Sequence, residues 1–163
     1  MNRAPLITWS PTFELGIPML DEHHRGIVSL INALDFAIQR EENADFFVQI
    51  IFNMTDCYAK LHFSAEEALM QAAGYPEVKT HKIQHADMVK QSFSAATQSM
   101  RLRDPHIYLR FLHDWWLDHI KNCDLPYGPF VRDMSADEIH GVDSAFRRFL
   151  EEQDQWAVAC IKA

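Results

Sequence analysis

Glycine is scarce in this 163-residue chain: five glycines stand against seven prolines, and the prolines fall between apolar runs rather than inside them. That distribution disfavours a strand-rich sandwich and favours helices. No apolar stretch is long enough to cross a bilayer, and the N-terminal MNRAPLITW lacks a signal-peptide core. The expectation is a soluble, cytoplasmic protein with no membrane partner. Positive charge is also in deficit. A formal net charge of −8 leaves no basic stripe to displace counterions from phosphates, which argues against a nucleic-acid partner. The three cysteines, Cys57, Cys123 and Cys160, are odd in number and widely spaced, so they read as reduced thiols and not as a disulfide framework. What the chain does contain is 48% apolar residues, enough for one domain with a proper core, and an excess of histidine, nine in all.

Apolar periodicity predicts an all-α fold of four helices in an up-down-up-down bundle, followed by a further C-terminal helix. The first helix runs from about Pro18 to Arg40 with Leu20, His24, Ile27, Ile31, Leu34 and Ile38 on one stripe. The second spans about Ala44 to Ala73, with Phe47, Ile51, Tyr58, His62 and Leu69 inward. Gly74 suits its C-terminal cap, and Pro76 the first turn of the third helix. That third helix carries Val78, His81, His85, Val89, Phe93, Ala96 and Met100. Asp104-Pro105 is a start signal for the fourth, whose stripe is Tyr108, Leu112, Trp115 and His119 and which should end near Asp124, because Pro126 disfavours helix at Leu125.

Each of the four helices therefore places at least one histidine on its core stripe. Taken singly, each reads as a buried histidine satisfied by a backbone carbonyl. Together they demand more, because several imidazoles facing one interior each need a hydrogen-bond partner or a metal. His62 and Glu66 are four apart on one helix, as are His81 and His85, so each pair points one way. His119 and Asp124 are five apart, and the helix ending before Pro126 is expected to turn the carboxylate back. Five imidazoles and two carboxylates exceed what a single zinc uses and suit a pair of iron ions.

From Trp9 to about Tyr127 the chain resembles the bacterial hemerythrin family. The resemblance rests on Trp9, Phe13, Gly16, Asp21 and His24; on Tyr58, His62-Phe63, Glu66-Glu67 and Met70; on Gly74-Tyr75-Pro76, His81 and His85; and on Trp115, His119-Ile120, Asp124 and Tyr127. It implies that His81, His85 and His119 hold one iron and His24 and His62 the other, with Glu66 and Asp124 bridging alongside an oxo or hydroxo group. It further implies that dioxygen binds reversibly at an open position on the second iron as the pair passes from Fe2+ to Fe3+. His24 is taken as the ligand because it continues the Leu20–Ile27–Ile31 stripe, leaving His23 as a surface or supporting residue. Glu67 is expected toward solvent or behind the metals. His106, His113 and His140 fall off the pattern, and Cys123, beside a ligand, is not used by it.

The chain departs from the family in two places. Where the family commonly has Leu, three residues before the last histidine ligand, this chain has Trp116, which either turns outward into a helix contact or narrows the oxygen pocket. Beyond Tyr127, Ser135-Ala136-Asp137-Glu138 is a capping box, and Ile139, Val142, Phe146, Phe149, Gln153, Trp156 and Cys160 form an amphipathic seam. Residues 1–130 are accordingly read as the di-iron domain and 131–163 as a helical extension, lying on its own bundle or serving a homodimer or output domain. The functional expectation is dioxygen binding without turnover, for storage, delivery or sensing. The alternatives are a sensory domain of a signalling protein and a di-iron enzyme acting on peroxide or nitric oxide. The absence of any Glu-x-x-His pair argues against iron mineralisation.

Overall fold

The computed structural model describes residues 4–40, 44–135, 137–141, 144 and 148, and among them every regular element is helical. A 3-10 turn, Pro11–Phe13, precedes four long helices: α1 Pro18–Gln39, α2 Ala44–Ala72, α3 Val78–Leu102 and α4 Pro105–His119. Consecutive helices pack against one another and α4 closes back onto α1, as short connections between amphipathic helices require. None of the described helices is long and apolar enough to cross a membrane.

Local chemistry sets the helix ends. Ile17 offers α1 no side-chain cap, so Asp21 reaches back from the first turn and accepts from the backbone N–H groups of Leu15, at 2.7 Å, and Gly16, at 3.2 Å. Gly16 sits at φ +75°, a conformation that glycine adopts without a Cβ penalty. Gly74, at φ +68°, closes α2 in a Schellman arrangement: Tyr75 N–H donates to Met70 O at 2.9 Å and Gly74 N–H to Gln71 O at 3.3 Å. Because the chain is still reversing at Tyr75 and Pro76, α3 begins two residues after the expected proline, with Glu77 as its N-cap. The α3–α4 corner repeats the motif with Arg103 at φ +51°, after which Asp104 caps α4 by accepting from His106 N–H at 3.0 Å.

The largest local difference from expectation lies after His119. The helical turns end at Asp124, as expected, but they widen on the way. Ile120–Asp124 is a π-helical turn in which Leu125 N–H donates to Ile120 O at 3.0 Å, five residues back. A π turn brings residues five apart onto one side, so it supplies physically what the proline stop was expected to supply. A short helix, α5 (Gly128–Arg132), follows, and the Arg132 guanidinium donates to Leu15 O. Ser135 and Glu138 then form the expected capping box, with Glu138 accepting from Ser135 N–H at 2.9 Å and from its hydroxyl at 2.7 Å. Residues 137–141 are helical and Ile139 packs on the core; Val142, Phe146, Phe149, Gln153, Trp156 and Cys160 lie outside the described residues.

The core has two apolar parts. One gathers Ile27, Ile31, Leu34, Phe63, Met88, Leu112 and Trp116; the other gathers Leu15, Ile17, Leu20, Leu69, Met70 and Tyr127. Along each long helix the two parts are separated by polar residues: His24 in α1, His62 and Glu66 in α2, His81 and His85 in α3, and His119 with Asp124 after α4. Phe93, expected on the α3 stripe, is 63% exposed. The buried face there is His81, His85, Met88, Ser92, Ala96 and Ser99, and Ser92 is accommodated because its hydroxyl meets Tyr108 Oη at 3.2 Å.

Candidate metal centre

The polar layer brings His24, His62, Glu66, His81, His85, His119 and Asp124 together, all buried. Their donor atoms fall into two sets, each within 4.8 Å internally: Glu66, His81, His85 and His119 on one side, and His24, His62, Glu66 and Asp124 on the other. Glu66 belongs to both. Asp124 also faces both ways, with Oδ2 lying 3.4 Å from His24 Nε2 while Oδ1 lies 3.1 Å from His119 Nε2 and 3.3 Å from His81 Nε2. The sides are unequal, three imidazoles against two. Each imidazole turns Nε2 inward, as in the 3.2 Å approach of His24 to His62 and the 3.1 Å approach of His85 to His119.

Hydrogen bonds satisfy only part of this layer. Among the described residues, Glu66 Oε2, both Asp124 oxygens and His81 Nε2 have no hydrogen-bond partner, although histidine nitrogens stand 3.0 to 3.8 Å from the carboxylates. Donor atoms converging on shared points without hydrogen-bond geometry, sealed from water, fit bound cations, since leaving them unsatisfied would be costly. Mixed imidazole nitrogen and carboxylate oxygen, with two shared carboxylates, fit a pair of iron ions better than one tetrahedral zinc.

The electrostatics agree. Burial and the charge of Asp124 would push the Glu66 carboxyl up, yet His62, His81 and His85 hold it below the usual carboxylate range. Burial likewise opposes ionisation of Asp124, and His119, His24 and His81 outweigh it. Burial would lower His81 and His119, but the two carboxylates raise them to about 9 and about 10. His62 goes the other way: burial dominates and lowers it well below the ordinary imidazole value.

A second ring of residues holds these side chains. Glu67 accepts from His85 Nδ1 at 2.9 Å and pairs with Lys82 Nζ at 3.5 Å, so it stands behind a candidate ligand. Phe63 stacks on His85 with ring centroids 3.8 Å apart, and Trp115 stacks on His119 at 4.2 Å. The buried Tyr127 hydroxyl donates to Glu66 Oε1; burial and the two carboxylate charges keep its phenol protonated far above the usual tyrosine range. His23 is buried, not on the surface, with its ring 5.6 Å from that of His62 and 6.0 Å from that of Tyr58. His106 and His140 are exposed, and His113 pairs with Asp114 at 2.7 Å away from the layer. Periodicity put Trp115 on the stripe of His119, four residues before it, but gave no sign of the holding role of Tyr127, because hydroxyl donation leaves no spacing signature.

Trp116 points inward. It is fully buried, 5.7 Å from the His62 ring, 6.4 Å from the His24 ring and stacked on Phe63 at 5.8 Å. Among the described residues its Nε1 has no hydrogen-bond partner, a deficit worth about 1–3 kcal/mol for a buried donor.

A buried layer of five imidazoles and two shared carboxylates, inside a four-helix bundle, defines the class of non-haem dinuclear metal proteins. The sequence profile of the Hemerythrin HHE cation binding domain matches residues 15–131. The bacteriohemerythrin of Pseudomonas paraeruginosa is 32% identical over 127 residues, covering 77% of this chain and 82% of that protein. A hemerythrin from Sipunculus nudus is 31% identical over 119 residues, covering 73% of this chain and 88% of that one. A crystal structure of wild-type hemerythrin superposes with a TM-score of 0.66 at 26% identity, over 77% of this chain and 98% of that one. The chain belongs to the hemerythrin family.

Proposed function

We propose that this chain binds dioxygen reversibly at a non-haem di-iron centre, and that it does so without turnover, for storage, delivery or sensing in the cytoplasm. One observation carries the reading: two buried donor sets share Glu66, and Asp124 faces both, while one set has an imidazole more than the other. His81, His85 and His119 would hold one iron and His24 and His62 the second, with Glu66, Asp124 and an oxo or hydroxo group between them. Iron supplies reversible one-electron redox chemistry at each metal, which lets a ferrous pair take up and release dioxygen. The side with two imidazoles is one nitrogen short, so a small ligand has its place there.

The chain's own residues set the outcome. Tyr127 fixes Glu66, Glu67 orients His85, and Phe63 and Trp115 lock the rings of His85 and His119. The apolar parts of the core on either side exclude water, which favours release of the bound ligand over its reduction. In this reading residues 1–130 are the oxygen-binding domain, and 131–163 are a helical extension that lies on its own bundle or serves a second copy or an output domain. Anaerobic iron loading followed by metal analysis tests the centre. Two irons per chain are expected, and a single metal ion would rule the pair out.

A further inference from the structure

Helix α2 carries a second apolar face besides the one it buries. Val48, Ile51, Phe63 and Leu69 face the core, whereas Phe46, Ile50, Met54, Cys57 and Leu61 follow one another at spacings of four and three on the outer side. Phe46 is 62% and Met54 49% exposed, Cys57 is exposed as well, and no charged residue interrupts the stripe. Gly26 of α1 meets α2 at Tyr58, so Leu30 and Ala33, one and two turns further along α1, form the facing wall of a groove. The outer side of a helix is ordinarily polar, and a continuous apolar one marks a surface that something covers. The exposed apolar residues of α3 differ: Ile83 stands among Lys79, Lys82 and Asp87, and Phe93 packs edge-on against Phe52 at 6.1 Å.

We propose that residues 142–163 of this chain occupy the α1–α2 groove as a further helix of the bundle. This rests on the reading of residues 131–163 as an extension, narrows it to one role, and does not depend on the metals. The place where the described chain ends selects this occupant. Ser135 and Glu138 cap a helix described over residues 137–141, and its Ile139 abuts the same apolar cluster as Leu61, so that helix starts where the stripe on α2 starts. Length agrees: the stripe from Phe46 to Leu61 spans ~23 Å of α2, and residues 142–163 span ~33 Å as a helix. Val142, Phe146, Phe149 and Trp156, which lie outside the described residues, supply an apolar seam to a groove without charge. A second copy would have to associate to cover the same face, whereas a tethered segment meets it at high effective concentration.

Alkylation of the full chain by iodoacetamide, mapped by peptide mass spectrometry, tests this. With the groove uncovered, exposed Cys57 reacts before half-buried Cys123. With residues 142–163 in the groove the order reverses, and the Cys57 rate is the same at every protein concentration. Phe146→Asp combined with Phe149→Asp puts charge on the seam; it should speed Cys57 alkylation about tenfold and leave the Cys123 rate and iron content unchanged. Cys57 reacting first in the unaltered chain, at a rate the double substitution leaves alone, would overturn the proposal. Protection of Cys57 that grows with protein concentration would also overturn it, in favour of a second copy. The Cys57 rate is read on iron-loaded and metal-free protein alike, so a chain that takes up no iron would overturn the di-iron reading and not this one.

Discussion

On the three-imidazole side of the centre, the rings are held from behind: Glu67 accepts from His85 Nδ1 at 2.9 Å, Phe63 stacks on His85 at 3.8 Å and Trp115 stacks on His119 at 4.2 Å. On the two-imidazole side, neither His24 Nδ1 nor His62 Nδ1 has a hydrogen-bond partner among the described residues, and the adjoining Trp116 Nε1 has none either. An outer partner fixes the tautomer and orientation of an imidazole and raises its basicity, so the supported side is the natural seat of a permanently coordinated metal. The less supported side is where exchange costs least.

The sharpest way to break this comparison is to remove what both halves share. Glu66→Ala should abolish binding of both irons and destabilise the metal-free protein by about 3–5 kcal/mol, because histidines that were paired with it stay buried. Metal analysis and denaturant unfolding check it; retention of one iron would mean the carboxylate serves one side only.

Glu67→Gln separates the halves. It should weaken metal binding about 10–100-fold on the three-imidazole side alone. Chelator titration should then remove one iron well before the other, and simultaneous loss would place Glu67 outside the comparison. Support for the two-imidazole side comes through packing instead. A Cβ on Gly26 would lie 2.6 Å from Tyr58 Oη, and the Tyr58 ring stands against His23, which stands against His62. Gly26→Ala should cost about 1–3 kcal/mol in thermal or denaturant unfolding. Adding Tyr58→Phe, which removes the nearest clashing atom but leaves the ring carbon at 3.0 Å, should recover part of that loss. The smallest effect lies far from the centre. Arg103 holds φ +51° at the end of α3, so Arg103→Gly should raise stability by on the order of 1 kcal/mol and leave both sides of the centre unchanged.

The bundle was legible because helical spacing of three and four is a strong signal, and histidines riding on apolar stripes marked the layer that divides the core. The π turn was legible only as an anomaly. The five-residue gap between His119 and Asp124 demanded a special geometry, but spacing alone does not distinguish a helix that stops from one that widens. On α3 hydrophobicity misled, since Phe93 is outside while Ser92 is inside, matched by the Tyr108 hydroxyl. The inward turn of Trp116 was undecidable from sequence, because a residue three before His119 lies on a neighbouring direction that serves either the pocket or a helix contact. Glu67 was placed either in solvent or behind the metals, and it does stand behind His85, a contact set by the meeting of α2 with α3.

Two unequal halves that together bind dioxygen and give it back leave a direct optical record. The most direct test is the visible spectrum of the anaerobically iron-loaded, di-ferrous protein before air, after air and after oxygen is removed again. A ligand-to-iron charge-transfer band that appears with oxygen and bleaches on its removal, over repeated cycles, is the predicted result. Conversion in air to a ferric spectrum that persists once oxygen is gone would contradict reversible binding.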